Sequence, residues 1–219
     1  MRVFRSLILG ITVLVAACSE DRAAREAEIE AALPGVYAGT FPCQNCPGIE
    51  VTVWMRPDRR FFIRREYLAD ADSPASTVYN LGRWTLLAGG EAVELRGAGP
   101  VRSFDRRDND TLLMQTGSEV EHRLTRQRQS PAFTQKIALS GMMSMQGDRA
   151  SFAECYTGFR TSVAKNGDFA SFGRQYRNAA KPGEAAFVEF EGRFLWSGDG
   201  SLRAVTIDDF RTIKDGRRC

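Results

Sequence analysis

From Gly35 to Arg126 the chain reads as short alternating segments separated by turn residues. "IEVTVWM" (49–55) alternates apolar and polar positions, and "GVYAGTF" (35–41) does so more loosely. The turn "RPDRR" leads into "FFIRREYL" (61–68), and a loop rich in Ala, Asp, Ser and Pro precedes "VYNLGRWTLL" (78–87). Gly89–Gly90 introduces "EAVELRG" (91–97), followed by "VRSFDRR" (101–107). Asp108–Asn109–Asp110 turns the chain into "TLLMQT" (111–116), and Gly117–Ser118 into "EVEHRLTR" (119–126). Short β-segments at roughly ten-residue spacing, with almost no helical period, predict an up-and-down antiparallel barrel or sandwich. A barrel of about eight strands has room inside for side chains or one small ligand. Trp54, Phe62 and Trp84 are bulky enough to suggest a filled interior.

"QRQSPAF" (127–133) has the composition of a linker. Beyond it, strands over 136–146, 150–153, 159–164, 186–196 and 202–212 surround one helix over 168–180. Phe169, Phe172, Tyr176 and Ala179 recur there at helical spacing, behind Gly167–Asp168. Five strands with a helix between the third and fourth predict a small Greek-key barrel of the OB type. The fold class is thus mainly β, with one barrel over 33–128 and a second over 134–219. Residues 18–32 are charged and alanine-rich, which predicts a solvated helix or a tether before ordered structure begins near Leu33.

Residues 1–17 have the layout of an export signal. Arg2 and Arg5 precede the apolar run Leu7–Val15, too short to span a bilayer as a mature helix, and Ala16–Ala17 lead into Cys18. The Val-Ala-Ala-Cys ending resembles the bacterial lipobox, in which Cys18 becomes the acylated first residue. Acyl chains anchor a soluble domain, each buried methylene contributing ~0.8 kcal/mol. Ser19 after the cysteine resembles the signature of outer-membrane sorting, facing the periplasm. Removal of the signal takes two arginines with it and leaves 28 basic against 27 acidic side chains. So even a balance provides no field to steer nucleic acid.

In an oxidising compartment the four cysteines left after Cys18 can form disulfides. Of three pairings the simplest is local Cys43–Cys46 and distant Cys155–Cys219. In the loop-entropy model the first contributes ~2 and the second ~4 kcal/mol. The distant bridge is therefore a staple for a small core, while the local one is freer to be functional. "PCQNC" supports a structural disulfide, or a redox- or copper-responsive site. It lacks the βαβ context of a thioredoxin-like enzyme. Cu(I) selects soft sulfur ligands, which makes Cys43 and Cys46 candidate metal ligands. No cofactor is required. His122, the only histidine, is expected on a barrel face. Within "GMMSM", Met143 and Met145 share one strand face and Met142 the other, as core fillers would. No G-x-S-x-G, H-E-x-x-H or P-loop is present, so the chain is not expected to be an enzyme.

"LPGVYAGTFPCQNCPGIEVTVWM" and "YLADADSPASTVYNLGRWTL" resemble the N-terminal domain of the NlpE/CutF lipoproteins. "LSGMMSMQGDRASFAECYTGFRTSVAKNG" and "FVEFEGRF" resemble the C-terminal OB domain of its longer members. The resemblance covers about 180 of the 219 residues. It implies a lipocalin-like barrel followed by an OB barrel, on an outer-membrane lipoprotein associated with copper tolerance, sensing of surface adhesion and activation of the Cpx envelope-stress system. The implied partner is an inner-membrane sensor kinase of the Cpx type, and loss of the bridge matching Cys155–Cys219 is one way the family reports faulty disulfide formation. The alternatives are a lipocalin-like carrier of a small apolar ligand and a purely structural lipoprotein. The sequence is silent on oligomeric state.

Overall fold

The computed structural model describes residues 21–71, 73–117, 119–128, 133–181, 183–214 and 216–219. The export signal and Cys18 lie outside the described residues. The first half is a closed barrel of eight antiparallel strands: β1 (Gly35–Phe41), β2 (Ile49–Met55), β3 (Arg60–Tyr67), β4 (Ser76–Leu87), β5 (Ala92–Gly97), β6 (Arg102–Arg106), β7 (Thr111–Met114) and β8 (Arg123–Gln127). Each pairs with the next, and β8 closes on β1 through Val36–Ala38. Tyr37, Val51, Val53, Met55, Phe61, Ile63, Trp84, Val93, Leu95, Phe104, Leu112 and Leu124 form the interior. At Gly82, opposite Gly97, an added Cβ would lie 2.6 Å from the partner's Cα, so only glycine lets β4 and β5 meet there. The last strand is shorter than the sequence suggests. Met114 N–H donates to the His122 carbonyl at 2.9 Å, and residues 119–122 are used in the turn. His122 thus stands at the barrel mouth, not within a strand.

Residues 21–32, expected as a solvated helix or a tether, form a helix, α1, docked across the other end of the barrel. Its contact needs few apolar residues, which is why no hydrophobic stripe announces it: Ile29 packs on Gly90, and Leu33 is fully buried. Polar clamps supply the rest. Arg59 holds Glu30 through two hydrogen bonds of 2.6 Å. Arg126 donates to the carbonyls of Ala32 (2.7 Å) and Pro34 (2.9 Å), so a cation caps the helix where its orphan carbonyls concentrate. The Tyr37 hydroxyl donates to the Leu33 carbonyl at 2.8 Å.

The second half is a curled seven-stranded sheet with one helix. Its elements are β9 (Ile137–Gln146), β10 (Arg149–Glu154), β11 (Arg160–Gly167), α2 (Phe169–Ala179), β12 (Ala186–Gly192), β13 (Phe194–Trp196), β14 (Leu202–Ile207) and β15 (Asp209–Lys214). The order is β13-β14-β11-β10-β9-β12-β15, with β11 and β14 parallel. α2 buries Phe172, Gly173 and Tyr176, and the Tyr176 hydroxyl donates to the carbonyl of Met143 (2.8 Å) or Glu184 (2.9 Å). The two long strands expected over 186–196 and 202–212 each break in two. At the break the end of β12 crosses β14: Thr206 N–H donates to Arg193 O, and Asp208 N–H to Glu191 O. A Cβ on Gly192 would lie 2.0 Å from the Thr206 carbonyl. Past this close crossing each chain changes neighbours, which adds β13 and β15 as outer strands.

Two of the three bulky residues expected inside the first barrel are elsewhere. Trp84 is interior, but Trp54 and Phe62 face outward and pack on the second half. They pair across β2 and β3, and Phe62 pairs in turn with Leu81. These side chains belong to one apolar cluster with Phe133, Phe159, Phe194 and Trp196. Phe62 has ring centroids of Trp54, Phe133, Phe194 and Trp196 at 5.5–5.7 Å. The Arg56 guanidinium lies between Trp54 (4.9 Å) and Trp196 (4.8 Å), and that of Arg60 lies 4.2 Å from Phe159.

Tyr37 links the barrel's stability to pH. Burial pushes its phenol from about 10 up to about 12, the adjacent Arg126 opposing only in part, with Asp110, Arg106 and Asp108 contributing less. Between these values the unfolded chain has released the proton and the folded chain retains it. Stability is therefore intact below pH 10 and falls as pH rises toward 12, by up to about 1.4 kcal/mol per pH unit. Urea denaturation from pH 9 to 11.5 should show this slope in the native protein and a shallower one in Tyr37→Phe.

Candidate functional site

The loop joining β1 to β2 carries the Cys-x-x-Cys pair, and the structure joins Cys43 to Cys46 by a disulfide. Pro42, Gln44, Asn45 and Pro47 are exposed, while both cysteines are half-buried. The prolines fix φ on either flank. Gly48 ends the loop in a buried position, where its carbonyl accepts from Leu68 N–H at 3.0 Å and lies 3.4 Å from Cys46 Sγ. The latter is a contact only, since a bridged sulfur has no proton.

The loop overhangs the open end of the barrel, opposite α1. Phe41 and Pro42 form one lip of a cavity of about 160 Å³. His122 reaches the same rim, with its ring edge-on to Phe41 at 4.9 Å and Nδ1 2.9 Å from the Val120 carbonyl. Arg65 and Arg102 also line it. Burial, then repulsion from Arg65, holds the Arg102 guanidinium below its usual pKa. Neither arginine was singled out in the sequence, although alternation with Ile63 on β3 and Phe104 on β6 is the signal that places them inward.

The second disulfide joins Cys155, after β10, to the terminal Cys219. Beside it lies a polar turn. Glu154 is buried, and one carboxylate oxygen accepts from Tyr156 N–H (3.0 Å), Thr157 N–H (2.6 Å) and the Thr157 hydroxyl (2.6 Å). Burial nonetheless raises its pKa, the hydrogen bonds opposing this only in part. The Thr157 carbonyl accepts from Arg60 (2.9 Å) and Arg83 (3.3 Å) of the first barrel. Two residues beyond the disulfide, the chain therefore contacts the other half of the molecule.

The two pairs are not brought together. Cys43–Cys46 lies at the barrel mouth and Cys155–Cys219 beside the junction between the halves. Among the described residues no three His, Cys, Asp or Glu side chains cluster as metal ligands. Met143 is fully buried in the second core, and Met145 packs against that core. Among the described residues no helix is long and apolar enough to cross a membrane.

A family model described as the NlpE N-terminal domain matches residues 37–123, and one described as the NlpE C-terminal OB domain matches residues 133–219. Lipoprotein NlpE of Escherichia coli K12 is 28% identical over 180 residues, covering 80% of this chain and 74% of that protein. The crystal structure of the Cpx pathway activator NlpE from Escherichia coli is similar at 23% identity, covering 85% of this chain and 98% of that one with a TM-score of 0.36. A solved chain from Shewanella oneidensis is 25% identical, covering 44% and 91%, with a TM-score of 0.37.

The unequal loops closed by the two disulfides predict unequal effects. Cys219→Ser opens a bridge with sequence separation 64 and should remove about 4 kcal/mol from the second domain, whereas Cys43→Ser, with separation 3, should remove about 2 kcal/mol or less from the first. Thermal unfolding of both variants under oxidising conditions checks this, and the native protein plus reductant should reproduce the larger drop.

Proposed function

This chain belongs to the NlpE family, its N-terminal domain over residues 37–123 and its C-terminal OB domain over 133–219, and from that premise we propose that it is a non-catalytic envelope lipoprotein that reports stress to a protein partner. The observation that carries this reading is the family's pair of domains with a Cys-x-x-Cys loop exposed on the first and a disulfide closing the second. The likeness to Lipoprotein NlpE supports a lipid anchor at Cys18, and Ser19 after it favours the outer membrane, facing the periplasm. The description of the Escherichia coli protein as a Cpx pathway activator supports an inner-membrane sensor kinase of the Cpx type as the partner.

The two cysteine pairs give the protein two inputs. Oxidised, Cys43 and Cys46 have no free electron-rich thiolate to give a metal. Reduced, they present two soft donors on a loop stiffened by Pro42 and Pro47, a set suited to Cu(I). At this loop, copper and oxidation compete for the same sulfurs. At the second pair, reduction frees the segment that follows β15 and relaxes the turn whose Thr157 carbonyl is held by Arg60 and Arg83. A failure of disulfide formation there is converted into a looser junction between the halves.

An anaerobic Cu(I) titration against a competing chelator tests the first input, using protein reduced with a removable reductant. One Cu(I) per chain should bind tightly, and Cys43→Ser/Cys46→Ser should abolish that binding. Equal, weak binding by both proteins would remove copper from the function and leave the pair as a redox or structural bridge.

A further inference from the structure

The first barrel is packed with side chains next to α1 but not at its mouth. Trp84 is fully buried in the interior, whereas the mouth retains its cavity of about 160 Å³ between Phe41, Val51, Ile63, Phe104 and Met114. An apolar void of about 150 Å³ is enough for one benzene ring. Here the apolar wall is joined at the rim by two guanidiniums.

Arg65 and Arg102 have no ion-pair partner among the described residues. Arg65 Nη2 donates to Asn80 Oδ1 at 2.7 Å, but its Nε is buried with no hydrogen-bond partner. Arg102 Nη1 donates to the Pro100 carbonyl at 3.1 Å. The two cations line the same cavity, and burial first, then repulsion from Arg65, lowers the pKa of Arg102, with the Tyr67 phenol acting in the opposite sense. His122 completes the titratable groups of the lining. Other arginines of this barrel are ion-paired, among them Arg59 with Glu30, Arg96 with Glu94, Arg123 with Glu121 and Arg126 with Asp110, while Arg83 and Arg106 donate to the carbonyls of Thr157 and Gly90; Arg65 and Arg102 are the two that line the cavity. Two half-buried like charges beside an apolar void are unfavourable unless an anion joins them, because a desolvated donor left unpaired is costly and a charge-assisted hydrogen bond is strong.

We infer that the mouth of the first barrel binds a small amphiphilic anion: a monocarboxylate whose head lies between Arg65 and Arg102 and whose tail, about the length of hexanoate, fills the cavity toward Val51 and Phe104. This site is a property of the barrel and does not depend on the stress-reporting role. The lipocalin-like carrier considered from the sequence was given an apolar ligand; the arginine pair changes the ligand class to anionic.

Calorimetric titration of the full chain with acetate, butyrate and hexanoate tests both halves of the site. Hexanol serves as the neutral tail and sulfate as the anion without a tail. Binding should be one to one and tighten roughly fourfold per added methylene. Hexanol should bind at least tenfold more weakly than hexanoate, and Arg65→Gln/Arg102→Gln should reduce hexanoate to the hexanol level. Hexanoate should also shift the Met114 methyl resonance. Equal binding of hexanol and hexanoate, or of hexanoate to native and variant proteins, overturns the arginine role. Sulfate as tight as hexanoate, or no gain with tail length, overturns the amphiphile. Absence of binding overturns the site. The comparison of hexanoate with hexanol uses only native protein and holds even where the variant does not fold.

Discussion

Phe62 faces out of the first barrel yet is almost completely buried, and that apparent contradiction is the constraint on which the rest of the molecule depends. A side chain of that size on the outer face of a closed barrel must find a cover, and the cover is the second domain. Phe133, Phe159, Phe194 and Trp196 surround it from one side and Trp54 from its own. Burying an aromatic of this kind contributes on the order of 2–3 kcal/mol, and edge-to-face contacts add to it. Arg56 seals the edge of the cluster, lying over two tryptophan rings and donating to the Gly200 carbonyl at 3.2 Å. The two halves share a core at this point, so a disturbance on one side is felt on the other.

That junction gives the cysteine pairs their different characters. The turn beside Cys155 is gripped by Arg60 and Arg83, which both come from the strands that carry or flank Phe62. The bridge to Cys219 thereby lies two residues from the junction. Cys43–Cys46 is at the far, open end of the barrel, where only the flanking prolines and the buried Gly48 constrain it. One bridge lies beside the contact between the halves, and the other lies on a loop at the open end of the barrel.

Much of this was legible from alternation. Seven of the eight barrel strands fall within about two residues of their expected positions, because each has an apolar inner row whose period fixes its register. The helix α2 was legible for the same reason at a different period. What misled was treating size as a sign of interior position. Trp54 lies in the polar row of "IEVTVWM" and Phe62 in the row opposite Phe61 and Ile63, so parity places both outside while bulk alone suggests inside. A solvated helix was one reading of residues 21–32, but the docking of α1 was not legible, because Ile29 and Leu33 are its buried apolar contacts and the clamps from Arg59 and Arg126 are long-range. The break at Gly192 depends on β12 crossing β14, a tertiary event with no local signature. Arg65 and Arg102 were overlooked because inward-facing charge contradicts the expectation that the apolar row continues to the strand end.

The most direct measurement is differential scanning calorimetry of the native protein beside Phe62→Ala. A shared core requires a single cooperative transition in the native protein. Removing the ring should destabilise it by about 3–5 kcal/mol and resolve two transitions, one per domain. Two separate transitions already present in the native protein, or a variant that melts like it, would contradict the junction as the element that makes one body of the two domains.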